Sequence, residues 1–90
     1  MTVTIADAKD HSRVLHDDDD LLFQRLIDAA LVELAHYIAA PLPDPLPADL
    51  AFAACEMVAY AYDNRADPEA KPGLVPAAAR IAARYRRVRA

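Results

Sequence analysis

The chain has 90 residues, of which 56% are hydrophobic and 27% charged, with a net charge of −4. That length holds one domain, spanning 1–90, and the apolar fraction excludes disorder over most of it. A single cysteine excludes an internal disulfide, and no apolar run approaches the ~20 residues of a membrane span.

The N-terminus "MTVTIADAKD" lacks a basic stretch followed by an apolar core, so no signal peptide is expected and the protein reads as soluble and intracellular. A chain this short buries only about 60–65% of the surface its unfolded form exposes, so association with other subunits would add stability. Charge is unevenly distributed. Residues 76–90 carry five arginines and no acid, giving +5; residues 1–75 hold fourteen acids and five bases, giving −9. An acidic body with a basic end favours contact with an oppositely charged surface, including another copy of the same chain.

Thr4 is a candidate N-cap with Asp7 three residues on, the spacing of a capping box, and predicts a short helix over about 5–12. "RVLH" follows as an extended connection. The next helix is expected over about 18–39, because Phe23, Ile27, Ala30, Leu31, Leu34 and Ile38 fall on one helical stripe. Leu22 and Val32 point away from that stripe. Alternating Pro41, Pro43, Pro45 and Pro47 forbid a helix through "APLPDPLPAD", and Pro47 suits the first helical position of a third helix, about 47–64. That helix is apolar nearly all round, so it should be central or covered by a neighbour. Its acids Asp49, Glu56 and Asp63 are spaced by seven and share one stripe. "RADPEAKPGLV" is a long loop holding the only glycine. Pro76 opens a last helix, about 76–88, with Ile81, Tyr85 and Val88 on one face and Arg80, Arg84 and Arg87 on another. The expected fold is all-α, a small bundle of two long helices with a short helix at each end.

The run "HDDDD", His16 through Asp20, can be read as a metal site or as the acidic mouth of a helix. A calcium loop spaces its ligands by two and needs a glycine at its turn; here the aspartates are contiguous and glycine is absent. Contiguous helical side chains point in different directions, which favours an N-cap with acids at the positive end of the helix dipole. His11, His16 and His36 lack metal-ligand spacing, and no cofactor is expected. Cys55 lies in the middle of an apolar helix and reads as a small core residue rather than a nucleophile. With no phosphate loop and no serine elbow, the chain is not read as an enzyme.

"RIAARYRRVRA" admits three readings: a nucleic-acid-binding helix, a solvated arginine face, or a face that meets an acidic surface such as Asp49, Glu56 and Asp63 or the aspartate run of a neighbouring copy. The third is favoured, since the acidic remainder opposes a free DNA-binding domain.

The order of the pieces carries a resemblance. Thr4, Ala8, Lys9, His11, Arg13 and Val14 are followed by "HDDDD", a helix ending "YIAAPL", a Pro-initiated helix ending "AYDNRAD", and a final helix with "YRRVR". Over about 2–87 the chain resembles the small head–tail connector (adaptor) proteins of long-tailed phages, prophages and gene transfer agents. The resemblance implies a structural neck protein, made in the host cytoplasm, that forms a ring of about twelve copies on the portal. It implies a ring that extends the DNA channel, passes DNA without sequence specificity and provides a docking surface for a downstream tail or stopper protein, with no membrane partner. Carried over, it places portal or subunit contacts on Arg80, Arg84, Arg86, Arg87 and Arg89, with the loop "NRADPEAKPG" as a further contact. Asp49, Glu56 and Asp63 would form an opposing face, and Asp17, Asp18, Asp19 and Asp20 would face the channel or a neighbour. The alternative is a small helical DNA-binding or regulatory protein using the C-terminal arginines.

Overall fold

The structure is a computed structural model that describes residues 3–67, 69 and 75–86. Four helices follow in order: α1 (Ile5–Ser12), α2 (Asp20–Ile38), α3 (Ala48–Asp63) and α4 (Pro76–Ala82), the last running into a 3₁₀ turn at Ala83–Tyr85. Among the described residues there is no strand, so the all-helical expectation holds. The two longest helices have 19 and 16 residues.

α1 begins with the capping box that its sequence announces. The Asp7 amide donates to Thr4 Oγ1 at 3.1 Å, and the Thr4 amide donates to Asp7 Oδ2 at 3.0 Å. Two N–H groups that the helix itself cannot satisfy are thereby paired. The helix stops at Arg13, which turns left-handed at φ 60° and lets the Val14 amide reach back to Lys9 O at 2.9 Å. α2 ends the same way: Ala39 takes φ 60° and Ala40 N–H reaches Ala35 O.

The stripe predicted for α2 is its buried face. Phe23, Ile27, Ala30, Leu34 and Ile38 are buried and Leu31 is half-buried. Leu22, expected to point away, packs against the core edge instead, whereas Val32 is 71% exposed. α3 is central, packing against α1, α2 and α4. Half of its residues are buried, among them Ala51, Ala53 and Ala54, whose small side chains admit neighbouring helices closely. Ala78 and Ala82 of α4 are also buried. Tyr62 near the end of α3 stacks on Phe23 near the start of α2, ring centroids 4.5 Å apart, so the two long helices run antiparallel.

Three boundaries differ from expectation. α2 starts at Asp20, leaving Asp17–Asp19 in the preceding turn. Pro47 is the N-cap residue of α3 rather than its first helical residue, with ψ 150° outside the helical range. α4 does not continue to 88 as one helix: after the 3₁₀ turn, Arg86 is extended, at ψ 128°. The tightened turn brings Tyr85 and Arg86 back onto the body, where both find partners. The connection between α2 and α3 carries a cis bond at Asp44–Pro45 and buries Leu46.

Candidate interaction surface

Two aspartates of the run, Asp17 and Asp20, converge on a cation of the chain itself. Lys9 of α1 places its Nζ 2.5 Å from Asp17 Oδ1 and 2.9 Å from Asp20 Oδ1, with its side chain only 12% exposed. Adjacent carboxylates diverge, but Asp17 and Asp20 are three apart across a turn, and α1 brings Lys9 between them. The hydrogen bonds to Asp17 and then Asp20 raise the lysine pKa above its ordinary value, and the same lysine holds Asp17 below the usual carboxylate range.

Asp19 occupies the N-cap position of α2 without capping it through its side chain. Its Oδ2 instead accepts the Tyr62 hydroxyl at 2.5 Å, which raises the Tyr62 pKa. The cap expected of the run is therefore replaced by a tie between the start of α2 and the end of α3. Asp18 is exposed, and its amide donates to His16 Nδ1 at 3.3 Å. Between α1 and the segment leading into α2 runs an open groove of about 440 Å³, lined by Val14 and Leu15 as well as by Asp17 and Asp20.

The acidic stripe of α3 is partly committed within the chain. Asp49 accepts the Tyr85 hydroxyl at 2.7 Å, the Leu50 amide at 2.8 Å and Arg84 Nη1 at 3.3 Å. The tyrosine hydrogen bond is the main reason the Asp49 carboxyl is held below its ordinary range, and it raises Tyr85 in turn. Glu56 Oε2 lies 2.6 Å from His11 Nε2, and the His11 ring meets Phe52 edge-on at 5.3 Å. Asp63 is exposed.

Arg80, Arg84 and Arg86 are exposed at the opposite end of the antiparallel pair, and Arg86 lies over the Tyr37 ring at 4.8 Å. Arg87 and Arg89, as well as half of the loop "NRADPEAKPG", lie outside the described residues. Cys55 is buried, and burial pushes its thiol pKa up, which disfavours the thiolate.

Large apolar side chains stand on the outside. Leu15 is 96% exposed, Leu21 67%, and Phe52 is about half-exposed. Leu21 and Val32 are three turns apart on the outer face of α2. Val32 is legible in sequence as a residue off the buried stripe, whereas Leu21 and Leu15 are outward residues beyond that expectation, and no local pattern marks Lys9, His11, Tyr62 or Tyr85 as partners of the acids. Only the positions of Leu21 on the α2 wheel and of Leu15 in a short polar connection carried a signal.

These surfaces suit contacts between macromolecules. The family model described as phage gp6-like head–tail connector protein matches residues 2–72. The chain belongs to this family. The connector therefore has a structural role at the junction of phage head and tail. No curated protein and no solved structure matches the connector. Its α4 with Arg80, and the 3₁₀ turn with Arg84, lie beyond the matched stretch. No helix among the described residues is long and apolar enough to cross a membrane.

Proposed function

We propose that this connector acts by assembly: copies form a ring on the portal, about twelve in number, that extends the DNA channel and offers a docking surface to a downstream tail or stopper protein. The observation that carries the reading is the set of exposed leucine and valine side chains, Leu15, Leu21 and Val32, on a small helical body whose family is that of head–tail connectors. Burying such side chains against a neighbour is worth about 1.5–3 kcal/mol each, a gain that a small domain does not obtain alone.

Portal or subunit contacts fall to Arg80, Arg84 and Arg86, and to Arg87 and Arg89 beyond the described residues. Asp63 is free to face a neighbour, whereas Asp49 and Glu56 contribute through the partners they already hold. Asp17, Asp18, Asp19 and Asp20 face a neighbour or the channel. An acidic wall would let DNA pass, since adhesion to DNA comes from cations meeting phosphate. Assembly takes place in the host cytoplasm before the protein comes to rest in the virion neck.

Light scattering with and without the portal protein tests the reading. A strict monomer that never associates with the portal would count heavily against it. Three exposed arginines on one short segment support the alternative of a DNA-binding or regulatory protein. The two separate in a mobility-shift assay at moderate salt. A connector shows little binding, whereas tight, salt-sensitive binding lost on Arg84→Ala and Arg87→Ala supports the alternative.

A further inference from the structure

We propose that the groove between α1 and the segment leading into α2 receives the arginine-bearing α4 end of a second copy of this chain; the proposal deepens the assembly reading and rests on it. The groove has a mixed lining. Ile5, Val14 and Leu15 are its apolar part and Asp10, Asp17 and Asp20 its acidic part, with Lys9 paired to Asp17 and Asp20. Three carboxylates against one ammonium leave that lining at a net charge of −2. Leu15 is almost wholly exposed, so it stands open in the single chain.

An arginine suits both parts of this lining at once. Its aliphatic stem would lie along Val14 and Leu15, while its guanidinium reaches the carboxylates. Arg80 in α4 and Arg84 in the 3₁₀ turn after it are four residues apart and both exposed, and Arg84 holds Asp49 only by one long contact of 3.3 Å, so both side chains can turn to a partner. Phosphate is repelled by the lining, which sets nucleic acid aside as the occupant.

The arginines of a chain do not reach its own groove. Asp19, beside the groove, is tied to Tyr62 near the end of α3, whereas Arg84 is tied to Asp49 at its start. That stretch of helix is about 20 Å long. The contact therefore runs between copies and joins two different surfaces. Such a heterologous contact repeats from copy to copy and closes into a ring when the rotation between copies allows.

The test mixes full-length chains carrying Ala6→Cys, at the groove, with chains carrying Ala83→Cys, beside the arginines, and treats them with a short bis-maleimide at high protein concentration. Wild type, with its buried Cys55, gives the background. The heterodimer should exceed either homodimer several-fold. Asp17→Arg in the groove chain, which takes that lining from −2 to 0, should lower its yield about tenfold, and so should Arg80→Ala with Arg84→Ala in the other chain. Leu15→Asp, which leaves the Lys9 cluster untouched, should lower the yield as well.

A statistical mixture of dimers, or a yield unmoved by both Asp17→Arg and Leu15→Asp, overturns the proposal. So does binding of an unrelated arginine-rich peptide without any heterodimer, which assigns the groove to another protein. Sedimentation of the same samples separates this failure from that of the assembly reading. Oligomers formed equally by wild type and Leu15→Asp remove the groove and leave assembly standing. Monomers throughout, with no cross-link, count against both.

Discussion

Tyr85 donates its hydroxyl to Asp49 Oδ1 at 2.7 Å, and this bond ties the last described turn to the first turn of α3. Asp49 also accepts from Arg84, so two side chains of one short turn meet on a single carboxylate. Tyr85→Phe keeps the ring and removes the bond. It should lower the urea midpoint modestly. A variant as stable as wild type would show that the α4 end is held by apolar packing alone.

The same bonds set the response to pH. Asp17 and Asp49 titrate below 3.8, their ordinary value, because Lys9 donates to the first and Tyr85 to the second. Their stabilisation is complete above about 3.8 and is lost as pH falls through the lowered values. Lys9, Tyr62 and Tyr85 are raised above 10.5, 10.0 and 10.0, so their contribution is complete below those values and is lost as pH rises through the raised ones. Urea midpoints should be level with respect to these five groups across neutral pH and fall at both extremes. Asp17→Asn with Asp49→Asn should flatten the acid limb; an unchanged limb would assign acid unfolding to other carboxylates.

Core and surface positions of α2 should separate cleanly. Ile27→Ala or Leu34→Ala removes a fully buried side chain and should cost about 2–5 kcal/mol, enough to unfold much of a marginal domain. Val32→Ser should stay within about 0.5 kcal/mol in stability while weakening assembly. Thermal melts and sedimentation read the two effects independently.

Ala39 ends α2 in the left-handed region at φ 60°, where a Cβ is unfavourable and glycine is not. Ala39→Gly should therefore stabilise the protein by about 0.5–1 kcal/mol, a gain reduced by the extra freedom of glycine in the unfolded chain. Chemical denaturation checks the sign, and a loss of stability would contradict the end geometry of α2.

Arg86 lies over Tyr37, an exposed cation–π contact worth about 0.5–1 kcal/mol. Arg86→Ala should hardly affect folding and should weaken assembly. Global unfolding by this substitution would show that the arginine holds the fold together rather than a partner.

The sequence by itself determined what depends on neighbours in the chain. Period and capping give the elements: Thr4 with Asp7 starts α1, the stripe from Phe23 to Ile38 names the buried face of α2, and the alternating prolines break the helix before α3. The ordered motifs were also enough to suggest the family that the match over 2–72 establishes. Tertiary structure decided where the acids go. Asp19 and Tyr62 are 43 positions apart and Asp49 and Tyr85 are 36 apart, and no local pattern selects such partners. They meet because α2 and α3 fold back antiparallel to bury their apolar faces, which carries the polar side chains at the helix ends into reach of one another. The run "HDDDD" shows the division most plainly. Its position at the mouth of α2 followed from periodicity, but its occupation by Lys9 and Tyr62 in place of a cap followed only once α1 and the end of α3 had docked beside it.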